Sequence, residues 1–422
     1  MKKAVKCILI IIGALLAAFL ILCLVLCLKD PNPSRPETIS DPTGFVKAEG
    51  TNIYDGDGNL LLLKGVNLGN WFQPEHYMNI ANVEGFETGV FTQQRAMDAM
   101  EANPLLTDEQ IAELYDIYMT AYMSEADFAN IADLGLNCVR IPFSYRNLTD
   151  EDGNLKEDAF KYLDRAIDMC EQYGLYAILD LHGAYGSQNQ DFHSGDDTQL
   201  ALYTSDENRA KTIALWQTLA ERYKDRSSVA GYDLLNECRR EYNKYGGKVN
   251  TDFYDELYQA IREIDPNHML FIGYFTFPIH GVSPSHYGWE NVCVEYHIYN
   301  NVPVSQKTCL MFYKMLHNLN CGGYPVFIGE FNAWSEESDW QDTYDYFENL
   351  GWSYASWAYK CNSWSYTYGA YSGIHGNWGI IEFCREPVNL YTAGFEEIKE
   401  AFLSMSSEYC EPSVVYTALK NR

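Results

Sequence analysis

Two short stretches of this chain end a strand-like apolar run with a carboxylate. In "GYDLLNEC" (231–238), Gly231–Leu235 has the make-up of a core strand and stops at Asn236–Glu237. In "PVFIGEFNAW" (325–334), Val326–Gly329 runs into Glu330. Two carboxylates facing each other across a cleft suit the cleavage of a glycosidic bond. One protonates the leaving oxygen, and the other attacks the anomeric carbon or activates water. A lone glutamate at a strand end usually just opens a solvated loop, because exposed carboxylates are common. Two in corresponding positions carry a stronger signal.

Further polar residues close apolar runs in the same manner. Arg140 does so in "CVRIPFSY", His182 in "LDLHGA", His297 and Tyr299 in "EYHIYN", and Trp357 in "YASWAYK". Singly, each reads as a structural hydrogen-bonding residue. Gathered at one mouth, Arg140 and Tyr299 could hold Glu330 ionised and Asn236 could bond a sugar 2-hydroxyl. Trp357 would then offer a flat apolar face to the sugar ring. His182 and His193 in "HGAYGSQNQDFH" lack HExxH-like spacing, so they read as loop and structural residues. No metal and no organic cofactor is expected.

The elements that must position these residues alternate from about residue 46 onward. Strand candidates are 61–68, 137–142, 176–182, 229–236, 269–274, 292–299, 325–331 and 354–359. Their unbroken apolar character suits strands covered on both faces, as in a parallel sheet. Between them lie amphipathic helices such as 157–173, with Phe160, Leu163, Ile167 and Cys170 at helical spacing, and 205–224, with Trp216, Leu219, Ala220 and Tyr223. Eight strands alternating with helices predict an α/β fold, a single (β/α)8 TIM barrel, in which all strand C-termini share one mouth. An open doubly wound sheet is the alternative, but no glycine-rich fingerprint follows the first strand. The hairpin "TNIYDGDGNLLLLKG" should cap the barrel floor. Its "DGDGN", like "DEDGN" (150–154), lacks the flanking helices and closing glutamate of a calcium loop and reads as an Asp-Gly turn. Residues 74–123 are expected as an insertion over the mouth.

The chain has 422 residues, with 30 basic against 58 acidic side chains and a net charge of −28. Nucleic acid would be repelled, and an anionic membrane face is a poor partner, so a neutral ligand is expected. Residues 1–6 carry Lys2, Lys3 and Lys6, and Cys7–Leu28 follows as 22 residues without a charge. That run reaches roughly 33 Å as a helix, enough to span a bilayer. The lysines in front of it place residues 1–6 in the cytoplasm and the rest outside. A signal anchor of the cell membrane is therefore expected at 7–28, with secretion after signal cleavage as the alternative. Residues 29–45, with four prolines between 29 and 44, read as an extended linker. The catalytic domain is expected at 46–405 and a C-terminal tail at 406–422. Nine of the twelve cysteines lie beyond the anchor without CxxC spacing, which signals neither zinc nor a disulfide framework. The molecule is expected to be a monomer.

The ordered set of Arg in "VRIP", "LH", "NE", "HIY", "GEF" and a late Trp resembles glycoside hydrolase family 5, the cellulase-like family, over roughly residues 60–385. "LGLNCVRIPFSY" and "DLHGAYGSQNQDFHSG" are most similar to the exo-β-1,3-glucanase group. Tyr185 stands where that group has proline, and Cys238 replaces the proline usual after "NE". The resemblance implies a retaining double displacement on β-linked glucans. In it Glu237 is the acid/base with a raised pKa, and Glu330 is the nucleophile with a lowered one. For the substrate it implies an oligo- or polysaccharide, with β-1,3-glucan attacked from the non-reducing end. A β-1,4-glucanase or mannanase, a transglycosylase, and a non-catalytic carbohydrate-binding relative of the same barrel all stay open.

Overall fold

The computed structural model describes residues 21–23, 25, 44–75, 77–82, 92–238, 249–274, 283–299, 305–333, 336–368 and 378–422. Eight parallel strands close into a barrel: β1 (Lys64–Asn67), β2 (Cys138–Ser144), β3 (Tyr176–Gly183), β4 (Val229–Asp233), β5 (Met269–Gly273), β6 (Val292–Tyr299), β7 (Val326–Asn332) and β8 (Ser353–Ser356). Each strand pairs with its neighbours in sequence, and β8 closes on β1 through Tyr354↔Lys64 and Ser356↔Val66. The expected strands are all present, with ends moved by a few residues. The first starts at Lys64 rather than at Leu61, the fourth stops at Asp233 rather than at Asn236, and the eighth stops at Ser356, which leaves Trp357 just beyond it.

The sequence explains the elements locally. All seven residues of β2 and all eight of β3 are buried, as strands between a packed interior and a helical coat require. The helix Lys161–Gln172 buries Tyr162, Leu163, Ala166, Ile167 and Cys170 on one stripe. The helix Asp108–Tyr122 starts at a capping box between Thr107 and Gln110. The helix Glu337–Leu350 ends at Gly351, whose φ of 68° takes the left-handed conformation that stops it.

The barrel interior is layered. Its floor is apolar: Cys138, Tyr176, Ile178, Ala230, Phe271, Cys293, Phe327 and Ala355 pack against Val46 and against Ile53, Leu61 and Leu63 of the hairpin, which does cap that end. The two Asp-Gly stretches form tight turns, with Asp55 Oδ1 accepting from the Asp57 and Asn59 amides and Asp150 Oδ1 from those of Asp152 and Asn154. Above the floor the interior turns polar. From the 74–123 insertion, Glu75 and Tyr77 reach the mouth, whereas Asp108–Tyr122 packs beside the barrel on Phe395–Leu403, with Tyr118 and Phe402 rings 5.2 Å apart. Residues 406–422, read from the sequence as a tail, end in a helix, Val414–Lys420, that buries Val415, Ala418 and Leu419. Among the described residues no helix is long and apolar enough to cross a membrane. Most of the span expected at 7–28 and most of the linker at 29–45 lie outside the described residues.

Candidate active site

Side chains two apart on a barrel strand point to the same interior, and this periodicity builds the site in two tiers. The lower tier is Asn67 of β1, Arg140 of β2, Asp180 of β3, Asp233 of β4 and Glu295 of β6. Arg140 is completely buried and lies 3.1 Å from Asp180, 2.8 Å from Asp233, 3.4 Å from Glu295 and 3.0 Å from Glu330. It also donates to Asn67 Oδ1 at 3.0 Å and Asn236 Oδ1 at 2.9 Å. One guanidinium cannot balance four carboxylates. Burial first, then the charge of Glu295, pushes Asp233 well above the usual carboxylate range, against the pull of Arg140. Gly329 is tied to this tier: a Cβ there would come within 1.7 Å of Glu295 Oε1.

The upper tier holds the predicted catalytic pair. Glu330 sits within β7, accepting from Arg140 on Oε1 and from Tyr299 on Oε2 at 2.8 Å. Glu237 lies four residues beyond β4 in a turn, with φ at 43°. His297 stands between them. Its Nδ1–H donates to Glu237 Oε1 at 2.7 Å and lies 3.4 Å from Glu330 Oε2, while Nε2 is 3.4 Å from Glu295. One oxygen of Glu237, one of Glu330 and a His297 nitrogen all fall within 4.8 Å of one another. Such a trio could ligate a cation, but the Arg140 guanidinium already supplies the positive charge, and Arg140 and Tyr299 occupy lone pairs of Glu330. The set fits a hydrogen-bonded carboxylate pair better than a metal centre.

The ionisation pattern differs from the sequence expectation. Burial and the charge of Glu237 raise Glu330 despite His297 and Arg140. Burial also works to raise Glu237, but His193, His297 and His182 outweigh it and bring its pKa to about 2. Burial opposes a charge on His297, yet Glu330, Glu237 and Glu295 hold its pKa well above the ordinary imidazole value. A lowered Glu330 beside a raised Glu237 was expected. The reversal follows from imidazoles that could not be placed against Glu237 from spacing alone.

All eight predicted site residues converge on one mouth. His182 donates from Nδ1 to Asp180 at 2.7 Å and stacks on Trp357, ring centroids 5.6 Å apart. Trp357 donates from Nε1 to Tyr77 at 2.8 Å. Asn236 turns Nδ2 toward His182 Nε2 at 3.2 Å. Sequence reasoning missed Asn67, Glu75, Tyr77, Asp180, Asp233, Glu295 and Trp378, and it set His193 aside. Trp378 packs on both Tyr77 and Tyr299, at 4.9 and 6.0 Å between ring centroids. A signal did exist for two of these. Asp180 precedes His182, and Glu295 precedes His297, by two positions on an otherwise apolar strand, which directs each pair to the same interior.

Comparison with known proteins identifies the family. The model of the family described as Cellulase (glycosyl hydrolase family 5) matches residues 91–363. A β-xylosidase from Phanerodontia chrysosporium is 36% identical over 61% of this chain and 52% of its own length. A probable glucan 1,3-β-glucosidase A from Neosartorya fischeri is 30% identical over 60% of this chain and 57% of its own. The chain thus spans little more than half the length of these curated relatives. Among solved structures, a rutinosidase from Aspergillus niger superposes with a TM-score of 0.60 at 14% identity, over 81% of this chain and 98% of that one, a likeness of fold.

Proposed function

The chain belongs to the cellulase family, glycosyl hydrolase family 5, and we propose that it is a retaining hydrolase of β-linked glucans, with Glu330 as nucleophile and Glu237 as acid/base. The observation that carries this reading is the approach of a Glu237 oxygen to within 4.8 Å of a Glu330 oxygen. Retention needs a gap of about 5–5.5 Å, whereas inversion needs roughly 6.5–9.5 Å so that water can stand between the carboxyls.

The roles follow from the partners. Glu330, aimed by Arg140 and Tyr299, attacks the anomeric carbon as the glycosidic bond breaks. Glu237 gives its proton to the departing oxygen. A single proton moving along the 2.7 Å His297–Glu237 hydrogen bond converts the resting carboxylate into that acid, so the cluster titrates as a unit. In the second half-reaction Glu237 takes a proton from water, whose oxygen attacks the anomeric carbon and releases Glu330. Trp357 and Trp378 line the mouth as faces for a sugar ring.

The named activities of the relatives point to β-linked sugars, and we place β-1,3-glucan, attacked from the non-reducing end, first among substrates. Laminarin, cellulose and mannan, assayed beside aryl β-glycosides, test that order. Cleavage of cellulose or mannan in preference to laminarin would reassign the linkage or the sugar, and products lengthened by an added acceptor sugar would indicate a transglycosylase. Product of inverted configuration would rule out the double displacement. The lysines before Cys7–Leu28 and the length of that apolar run support a single-pass anchor with the catalytic domain outside the cell.

A further inference from the structure

The loop that follows β3 grips the turn carrying Glu237 at three points. Gln188 Nε2 donates to the Asn236 carbonyl at 3.1 Å, and Asn189 Nδ2 donates to the Glu237 carbonyl at 3.0 Å. The third contact is made by His193, in the short turn Phe192–Ser194, whose Nε2 lies 3.3 Å from Glu237 Oε2. The first two hold the backbone of a residue in a left-handed conformation that non-glycine residues seldom adopt. The third touches the reacting carboxyl itself, on the oxygen that His297 leaves free.

Geometry fixes which nitrogen of His193 carries the proton. Arg140 donates to Asn236 Oδ1, which orients that amide, so its N–H groups face the imidazoles. His193 Nδ1 lies 3.5 Å from Asn236 Nδ2, and Nε2, 3.3 Å from Glu237 Oε2, is the nitrogen whose N–H faces that carboxyl. We infer that His193 is a positioning residue for the acid/base: its Nε2–H bond aims the Glu237 carboxyl and favours the ionised form that serves as base in the second half-reaction. The inference rests on the reading of Glu237 as acid/base. His193 is faced by Glu237, Asp191, Glu75 and His182, and Glu237 by His193, His297, His182 and, across the cleft, Glu330. Burial opposes an ionised Glu237, and His193 is the foremost of the imidazoles that reverse this. No metal and no added proton donor is needed: the proton on Nε2 stays on His193 throughout.

The test compares His193→Leu, which removes the donor, with His193→Gln, whose amide N–H can replace it. Two substrates are used, an aryl β-glucoside whose leaving group needs protonation and a 2,4-dinitrophenyl β-glucoside whose leaving group does not. In His193→Leu the alkaline limb of kcat/KM for the first substrate should move up by about one pH unit, because Glu237 keeps its proton longer. With the second substrate kcat/KM should stay within about twofold, while kcat should fall several-fold as the base form is depleted. His193→Gln should restore both values. A limb that stays in place or moves to lower pH overturns the inference, the latter because His193 would then itself carry the proton. A uniform loss on both substrates at every pH would mean a structural role and also overturn it. Wild-type protein that neither hydrolyses any glycoside nor is labelled by a 2-fluoro glycoside would instead remove the acid/base reading beneath it.

Discussion

Glu330 and Glu237 differ in what each can lose. As the proposed nucleophile Glu330 would form the glycosyl bond, and it accepts from both Arg140 and Tyr299, so Glu330→Gln keeps the shape but removes the attacking carboxylate. Turnover of every substrate should vanish, and a 2-fluoro glycoside should no longer label the protein. Peptide mapping of the labelled wild type should find Glu330; finding Glu237 would reverse the roles. Glu237→Ala should lower kcat/KM by about 10²–10⁴-fold for leaving groups that need a proton. For a dinitrophenyl leaving group the first step should remain fast and the intermediate should accumulate, with added azide restoring turnover in place of activated water. Steady-state and burst kinetics separate these outcomes, and equal losses on both substrates would contradict the assignment.

At the scale of elements, one strand and one turn make their own predictions. Gly329 precedes Glu330 on β7 because Glu295 fills the space a side chain would need. Gly329→Ala should displace Glu295 from both His297 and Arg140, costing about 1–3 kcal/mol of stability. Thermal unfolding should show a lower midpoint, with activity lost even in the folded fraction; a wild-type midpoint and rate would show that Glu295 can retreat. At the floor, the turn before β5 is held by Asp265, which accepts from Tyr232 at 2.7 Å and from the Asn267 and His268 amides. Burial works to raise this carboxyl, but His268 and these donors bring it to about 2. A depressed carboxylate stabilises the fold above its unfolded value, and that contribution is lost as pH falls from about 4 through 2. Asp265→Asn should therefore be about 2 kcal/mol less stable at pH 7, and urea titrations should show the gap closing below pH 4. A gap independent of pH would mean that charge is not what Asp265 contributes.

For the whole molecule, the charge of −28 and the uncharged Cys7–Leu28 run lead to one cellular prediction. If Cys7–Leu28 anchors the chain as proposed, protease added to intact cells should release a folded domain whose N-terminus falls within 29–45, a segment whose four prolines and few apolar residues favour cleavage. Protection until lysis would reverse the orientation. Recovery of the whole domain in the medium without protease would favour a cleaved signal. The released domain should retain full activity and its thermal midpoint, since the barrel, its hairpin floor and the Val414–Lys420 helix all lie after residue 45.

The barrel was legible because its strands are short, largely apolar stretches of four to eight residues and the helices between them keep one apolar stripe. Parallel strands in a closed barrel then send every C-terminal end to the same face, so Glu237, Glu330, Arg140, His182, His297 and Trp357 had to meet there once the strand order was right. Periodicity along single strands carried that much. Contacts across the barrel were not legible. Arg140 meets Asp233 from 93 positions away and Glu330 from 190, and such pairings depend on register and strand tilt. The grip of Gln188, Asn189 and His193 on the Glu237 turn depends on the path of a loop with no periodic pattern at all. The order of protonation was decided last and only in three dimensions. It is a balance between burial and charges a few ångströms apart, and shifting His193 or His297 by one such distance would alter it.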